Sequence, residues 1–259
     1  AAISSFNDLT NCFIEDSGFP AISCFDATVI AIAGPVFGNT CKPPNIAWEI
    51  DLNESDCFKD AILINDFVAQ AYGISATTLN SALVTIKTAN YSNANRIGII
   101  GAGTGLGHCC LMKQFNRSIA IPSEAGAVPF TFLGKEEKEI EDYILTRNEL
   151  EFCNQDLIVS GQGLSLLHEF LSGENLTAAE ILSLQDNMET VTYFSRFYAR
   201  ACQHYCLNTL IDNRLIISGG IAAKNPALIT SANFIDAFVH SDTHNHNMND
   251  IYIMLNTNE

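Results

Sequence analysis

Short apolar, β-branched runs that stop abruptly at glycine, or at an Asn-Asp pair, constrain this chain more than any other feature. "RIGIIGAGTGLGHCCLM" is apolar from Ile97, breaks at four glycines between Gly101 and Gly107, then turns apolar again. That pattern reads as strand, glycine turn, strand. "ATVIAIAGPVFG" (27–38), "AILIND" (61–66), "RSIAIPSEAG" (117–126), "NRLIISGGIAAKNP" (213–226) and "DIYIML" (250–255) each read as a further strand. Helical periodicity fills the intervals. "DFVAQAYGI" sets Phe67, Ala71 and Ile74 on one face, with Gly73 expected to end that helix. "GKEEKEIEDYILTRNEL" reads as a charged amphipathic helix, and "IVSGQGLSLLHEFL" as a helix after a glycine loop. Residues 187–209 form the longest helical pattern. Strands alternating with helices predict an α/β fold. Residues 75–95 read as polar and irregular, so a domain boundary is expected near residue 80.

Charge narrows the partners. Lys and Arg total 13 against 29 Asp and Glu, a formal net charge of −16. Such a surface repels nucleic acid and anionic membranes, so neither is expected as a partner. A nucleotide is not excluded, because it needs only a local set of N–H donors. The chain is long and apolar enough, at 259 residues and 47% hydrophobic, for one large domain or two smaller ones. Nine cysteines show no disulfide framework, and "AAISSFNDLTNCF" does not read as a signal peptide. No run has the length of a transmembrane helix. Reduced thiols in a cytoplasmic protein are expected.

The histidines are expected to be ordinary. Cys202, His204 and Cys206 have a spacing that could serve a metal, but lie in a long apolar-periodic stretch and read as helix residues. His240, His244 and His246, near Asp242, read as a solvated loop before a surface metal site. His108 reads as a strand residue and His168 as structural. No metal ligand is assigned.

The glycine turns carry more chemistry. In "GAGTGLG", glycines at 101, 103 and 105 allow close backbone approach, and Thr104 adds a hydroxyl. Successive N–H groups there can form an anion nest. It is not a Walker loop, since no Gly-Lys-Ser/Thr follows, and the strand after it argues against a dinucleotide fingerprint. A plain hairpin turn fits equally well. "SGGI" could place Gly219 and Gly220 against a flat ligand such as adenine or ribose, or could be a tight strand-to-helix turn. "SGQGL" could simply cap a helix.

Asn65-Asp66 ends a strand and opens a helix. Three readings stand: helix capping, metal binding, or proton acceptance at the carboxyl end of a strand, where open α/β sheets bind ligands.

Taken in order, "AIAGPVFG", "LINDFVAQAYGI", "GAGTGLG", "IPSEAGAVPF", "IVSGQGL" and "ISGGI" resemble the bacterial glucokinase family of the hexokinase/actin-like ATPase superfamily. The resemblance covers nearly the whole chain. It implies a two-domain actin-like ATPase (ribonuclease H-like) fold, with a cleft between a small α/β domain, residues 1–78, and a large one, residues 79–259. It further implies ATP with Mg²⁺, glucose or a related hexose as substrate, and a homodimer as one assembly. By the same match Asp66 is the catalytic base that takes the proton of the sugar 6-hydroxyl. Asn65 and Glu124 bind the sugar. Gly101, Gly103, Thr104 and Gly105 cradle phosphate, and Gly219 and Gly220 lie near the adenosine.

The chain departs from the family pattern in places. The family's Glu-Gly-Gly-His-x-Asp-Phe reads Glu124-Ala125-Gly126-Ala127-Val128-Pro129-Phe130, so the imidazole is lost at Ala127 and the acid at Pro129. One missing hydrogen bond to a neutral sugar costs roughly 0.5–1.5 kcal/mol, up to about tenfold in affinity. Asp156 stands where the family has a sugar-binding glutamate, one methylene longer, so a water is expected to bridge. No Asp-x-Gly-Gly-Thr occurs before Ala27, and the chain stops at "IMLNTNE" where the family continues into a helix. The fold is therefore expected to be shortened at both ends, with the small domain incomplete. A kinase for another sugar, or a non-catalytic sugar-binding or regulatory relative, is the alternative.

Overall fold

The β-branched runs pair as their pattern requires. The computed structural model of the chain describes residues 3–18, 25–44, 46–54, 58, 60–76, 82–89 and 95–258. It divides into two compact units, Ala1–Gln70 and Ala71–Glu259.

The first unit opens with α1 (Phe6–Ser17), capped by the Ser5 hydroxyl, which accepts from the Asp8 N–H. Strands β1 (Val29–Ile32), β2 (Val36–Phe37), β3 (Thr40–Cys41), β4 (Ile50–Asp51) and β5 (Ile62–Asn65) follow. β1 and β5 pair in parallel, with Ile32 opposite Asn65. β2, β3 and β4 form a small antiparallel sheet. Phe6, Ile50, Leu52, Phe58 and Leu63 make the core, with the Phe6 and Phe58 rings 5.3 Å apart. Helix α2 (Asp66–Ser75) starts directly after β5.

The second unit contains a six-stranded sheet. Its strands are β6 (Leu83–Lys87), β7 (Arg96–Ala102), β8 (Leu106–Gln114), β9 (Arg117–Ser123), β10 (Arg214–Ser218) and β11 (Tyr252–Asn256). Their order is β6-β11-β10-β7-β8-β9, with β11, β10 and β7 parallel and the flanking pairs antiparallel. The helices are α3 (Gly134–Asn148), α4 (Gln155–Ile158), α5 (Gly161–Ser172), α6 (Ala178–Ser183), α7 (Met188–Thr209), α8 (Gly220–Lys224), α9 (Ala227–Thr230), α10 (Ala232–Val239) and α11 (Asn245–Asn249). Helix α7 spans 22 residues and buries Phe194, Phe197, Tyr198, Cys202, Tyr205 and Cys206 in the core. Cys202 and Cys206 are thus core residues, as expected. No described helix is long and apolar enough to cross a membrane.

Three expectations are corrected. The irregular stretch 75–95 contains β6, which pairs antiparallel with β11 at the sheet edge. Val84 and Thr85 are exposed there, so the strand shows no apolar alternation. Gly73 does not end α2, which runs on to Ser75. The glycines of "SGQGL" form no loop. Gly161 and Gly163 lie inside α5, and the Ser160 hydroxyl caps the helix by accepting from the Gly163 N–H. The segment around His240, His244 and His246 is exposed, but includes the short α11, seated by buried Met248.

Candidate functional site

At the end of β5, the side chain of Asn65 does the capping. Its Oδ1 accepts from the N–H groups of Phe67 at 2.8 Å and Val68 at 3.3 Å, while Nδ2 donates to the Gly34 carbonyl at 3.1 Å. Three bonds fix this side chain. Asp66 is thereby relieved of the cap; its Oδ1 accepts from the Phe67 N–H at 3.0 Å, and its own N–H and the Asn65 side chain also favour the carboxylate. Burial raises the Asp66 pKa above the ordinary 3.8, and the Phe67 N–H opposes that rise. A partly desolvated carboxylate at a strand end is a stronger proton acceptor than a solvated one.

In the second unit, "GAGTGLG" is a tight hairpin. Ala102 pairs with Leu106, so only Gly103, Thr104 and Gly105 form the turn. Gly101 belongs to the ladder itself, opposite Gly107 on one side and Ser218 on the other. The Gly103 N–H turns inward to the Gly105 carbonyl at 2.8 Å. Thr104 is exposed at the tip.

Four contacts hold this hairpin. The Ala102 N–H donates to the Tyr198 hydroxyl of α7 at 3.2 Å. The Gly161 N–H of α5 donates to the Gly103 carbonyl at 3.1 Å. The Leu106 N–H donates to Asp156 Oδ1 of α4 at 2.5 Å. Gly219, with φ +90°, packs so closely that a β-carbon there would lie 2.5 Å from the Ala102 carbonyl oxygen. The second glycine turn thus sits on the base of the first, both at the carboxyl ends of parallel neighbours β7 and β10. Gly220 begins α8.

Glu124 lies just past β9, exposed, before a 3₁₀ turn at Ala125–Ala127. The following loop runs beside the start of α4. Pro129 bridges to Asn154, the Gln155 N–H donates to the Val128 carbonyl at 3.0 Å, and the Phe130 N–H to the Cys153 carbonyl at 2.8 Å. Proline at 129, where the family pattern has an acid, is part of that antiparallel bridge. Ala127 is exposed and presents only a methyl group. Gly126 is buried against Leu106 and Asp156. The hairpin, the Glu124 loop and Asp156 are therefore packed together in one corner of the unit.

A family model described as Glucokinase matches residues 3–259. The chain belongs to the glucokinase family. Among its relatives, the glucokinase of Trichormus variabilis is 30% identical over 251 residues, covering 83% of this chain and 72% of its own. A crystal structure of glucokinase from Balamuthia mandrillaris in complex with glucose superposes with TM-score 0.83 at 17% identity, over 98% of this chain and 79% of that one. A ROK family glucokinase from Streptomyces griseus, in complex with glucose and AMPPNP, gives TM-score 0.59 at 14% identity, over 97% and 84%. The chain has the α/β actin-like ATPase fold of glucokinase-family and ROK-family kinases.

Within this glucokinase-family fold, sequence reasoning missed the residues that hold the site in place. Tyr198 lies in the longest helical pattern, and nothing in its spacing announced a bond to a strand almost a hundred residues away. The ion pair of Glu137 and Arg200 is also new. It binds the outgoing end of the Glu124 loop, with the Leu133 N–H donating to Glu137 at 2.6 Å and Arg200 donating to the Thr131 carbonyl at 2.9 Å. His108 is a buried strand residue beside the Tyr205 ring, and His168 is a buried structural one, bonded to the Thr190 hydroxyl at 2.9 Å.

Proposed function

We propose that this protein is an ATP-dependent hexose kinase that transfers the γ-phosphate of ATP to the 6-hydroxyl of glucose. The observation that carries the reading is Asp66 at the end of β5. Its neighbour Asn65 takes over the cap, and burial raises the carboxyl's proton affinity. In the reaction Asp66 accepts the proton of the sugar hydroxyl as that oxygen attacks the γ-phosphorus. The bond to the β-phosphate oxygen breaks, and ADP and sugar 6-phosphate result. A positioned base contributes typically about 10²–10⁴-fold; alignment and charge stabilisation supply the rest.

Asn65 and Glu124 hold sugar hydroxyls. Asp156, one methylene shorter than the family's glutamate, meets the sugar through a bridging water, while its Oδ1 accepts from the Leu106 N–H. Phosphate meets the Thr104 hydroxyl and the N–H groups of Thr104 and Gly105. Gly101 and Gly103 shape the turn, and Gly219 with Gly220 lies against the adenosine. Mg²⁺ bound with ATP neutralises phosphate charge. Among the described residues no group of three or more His, Cys, Asp or Glu could hold a metal.

The reading includes a small domain, residues 1–78, and a large one, residues 79–259. It also includes a cytoplasmic location, in keeping with nine cysteines whose spacing shows no disulfide framework, and no nucleic-acid or membrane partner, which the charge of −16 supports. A homodimer is tested by light scattering. The kinase itself is tested by sugar-dependent ATP turnover over a hexose panel, with Asp66→Asn as the control. No turnover for any hexose would overturn it. Ala127 and Pro129 favour a second reading, a sugar-binding relative without catalysis; saturable glucose binding by calorimetry without turnover would favour that one.

A further inference from the structure

The Asp156 carboxylate is wedged between two glycines of different segments. A β-carbon at Gly126 would lie 2.5 Å from Asp156 Oδ1 and 2.6 Å from the Leu106 carbonyl oxygen. One at Gly105 would lie 3.1 Å from both carboxylate oxygens. Into this gap Asp156 sends Oδ1 to accept the Leu106 N–H at 2.5 Å. The side chain is held from behind. Helix α4 is capped by Asn154, whose Oδ1 accepts from the Leu157 N–H at 2.8 Å, and is tied to the Glu124 loop through the Gln155 N–H and the Val128 carbonyl. On the hairpin's other side, the Gly161 N–H grips the Gly103 carbonyl. The three-residue turn is therefore clamped at both of its ends, and one of the two clamps is a charged side chain.

We infer that Asp156 is a positioning residue for the phosphate hairpin, fixing the Leu106 amide and with it the Gly103–Gly105 turn. This rests on the reading of that turn as the phosphate site. A carboxylate accepting an N–H makes a charge-assisted bond, stronger than one between neutral partners. Phosphoryl transfer depends on alignment, so releasing one end of a three-residue turn is felt in the reaction.

The experiment compares Asp156→Ala with Asp156→Asn. Asparagine keeps an oxygen that accepts the same N–H but loses the charge. Asp156→Ala is expected to lower kcat/KM for ATP by about 10- to 100-fold, with KM for sugar moving by less than about threefold. Asp156→Asn is expected to recover most of that loss. A sugar KM that rises while ATP parameters hold, or an Asn variant as poor as Ala, would overturn the inference and make Asp156 a sugar ligand. Should Asp156→Ala not fold, Asn154→Ala uncaps the short helix that carries Asp156, and an ATP-side loss in the same direction is expected, with an unchanged kcat/KM for ATP counting against the inference. A wild-type protein with no turnover would sink the kinase reading alone. The clamp is then judged by hydrogen exchange of the 103–107 segment without ligand. Faster exchange in Asp156→Ala but not in Asp156→Asn supports it, and unchanged exchange in both overturns it.

Discussion

Arg200 grips both carboxylate oxygens of Glu137, at 2.6 and 3.0 Å, inside the core of the larger unit. Arg200 also lies over the rings of Phe130 and Phe197, and the Arg196 guanidinium reaches the same carboxylate at 3.2 Å. Removing one partner leaves a buried charge, which typically costs about 3–5 kcal/mol. Arg200→Met is expected to lower the melting temperature by roughly 6–20 °C for a unit of this size. The Leu133 and Thr131 backbone groups would loosen with it, and with them the loop that carries Glu124. Thermal unfolding followed by circular dichroism checks this; a shift under about 2 °C would contradict it.

Asp66→Asn separates activity from stability. Loss of the base is expected to lower kcat by about 10²–10⁴-fold with little change in sugar KM. Stability moves the other way. Burial raises the Asp66 pKa, so its ionised form is disfavoured in the folded protein. The stabilisation conferred by the protonated carboxyl is complete below the ordinary 3.8 and is lost as pH rises through the higher folded value. At pH 7 the wild type carries that cost and the Asn variant does not. The variant should therefore melt higher than wild type at pH 7, the gap closing toward pH 3. The same elevated pKa predicts that kcat falls on the acid side beginning above the range of an ordinary aspartate.

His108 sets an acid limit on stability. It is 2% exposed, and neither ring nitrogen makes a hydrogen bond of ordinary geometry. Burial lowers its pKa to about 4, with the nearby Leu106 backbone opposing. A depressed histidine contributes stability above its unfolded pKa, ordinarily 6.5, that is lost as pH falls toward the folded value. His108→Phe keeps a ring against Tyr205, removes the two orphaned nitrogens, and should leave the pH 7 melting point equal or higher. Between pH 6.5 and about 4 the variant should lose less stability than wild type. Parallel melting curves across that window would refute this.

Ala127→His restores an imidazole at an exposed position beside Glu124. On the glucose reading it should lower glucose KM by up to about tenfold. A steady-state comparison over glucose, mannose and an amino sugar checks it. An unchanged glucose KM would point to a different native sugar.

The strand–turn–strand of the hairpin and the β5–α2 junction were legible because their signals are local. Apolar runs, glycine spacing and an Asn-Asp pair act over a few residues. β6 was not legible, because at this sheet edge the consecutive residues Val84 and Thr85 are both exposed, so the strand lacks the alternation that a half-buried strand shows. The division of labour at residues 65 and 66 was half legible. Both side chains suit a cap, and only the geometry shows Asn65 taking it. Asp156 reaches Leu106 across a separation of 50 residues. That contact depends on where a four-residue helix lands, which no periodicity records. Glu137 sits on a helix that reads as charged and amphipathic and Arg200 on a long apolar-periodic one, so neither pattern pairs them, and their burial together belongs to tertiary packing alone.

Gly219 occupies space that no other residue could share with Ala102. Its φ of +90° and the carbonyl oxygen at the place of its absent β-carbon bind the fates of two loops more than a hundred residues apart. A mutation at either one is read out at the other, so the two cannot drift separately over generations. A laboratory library that randomises the hairpin must hold residue 219 as glycine, and lineages that reshape one loop are expected to have reshaped both.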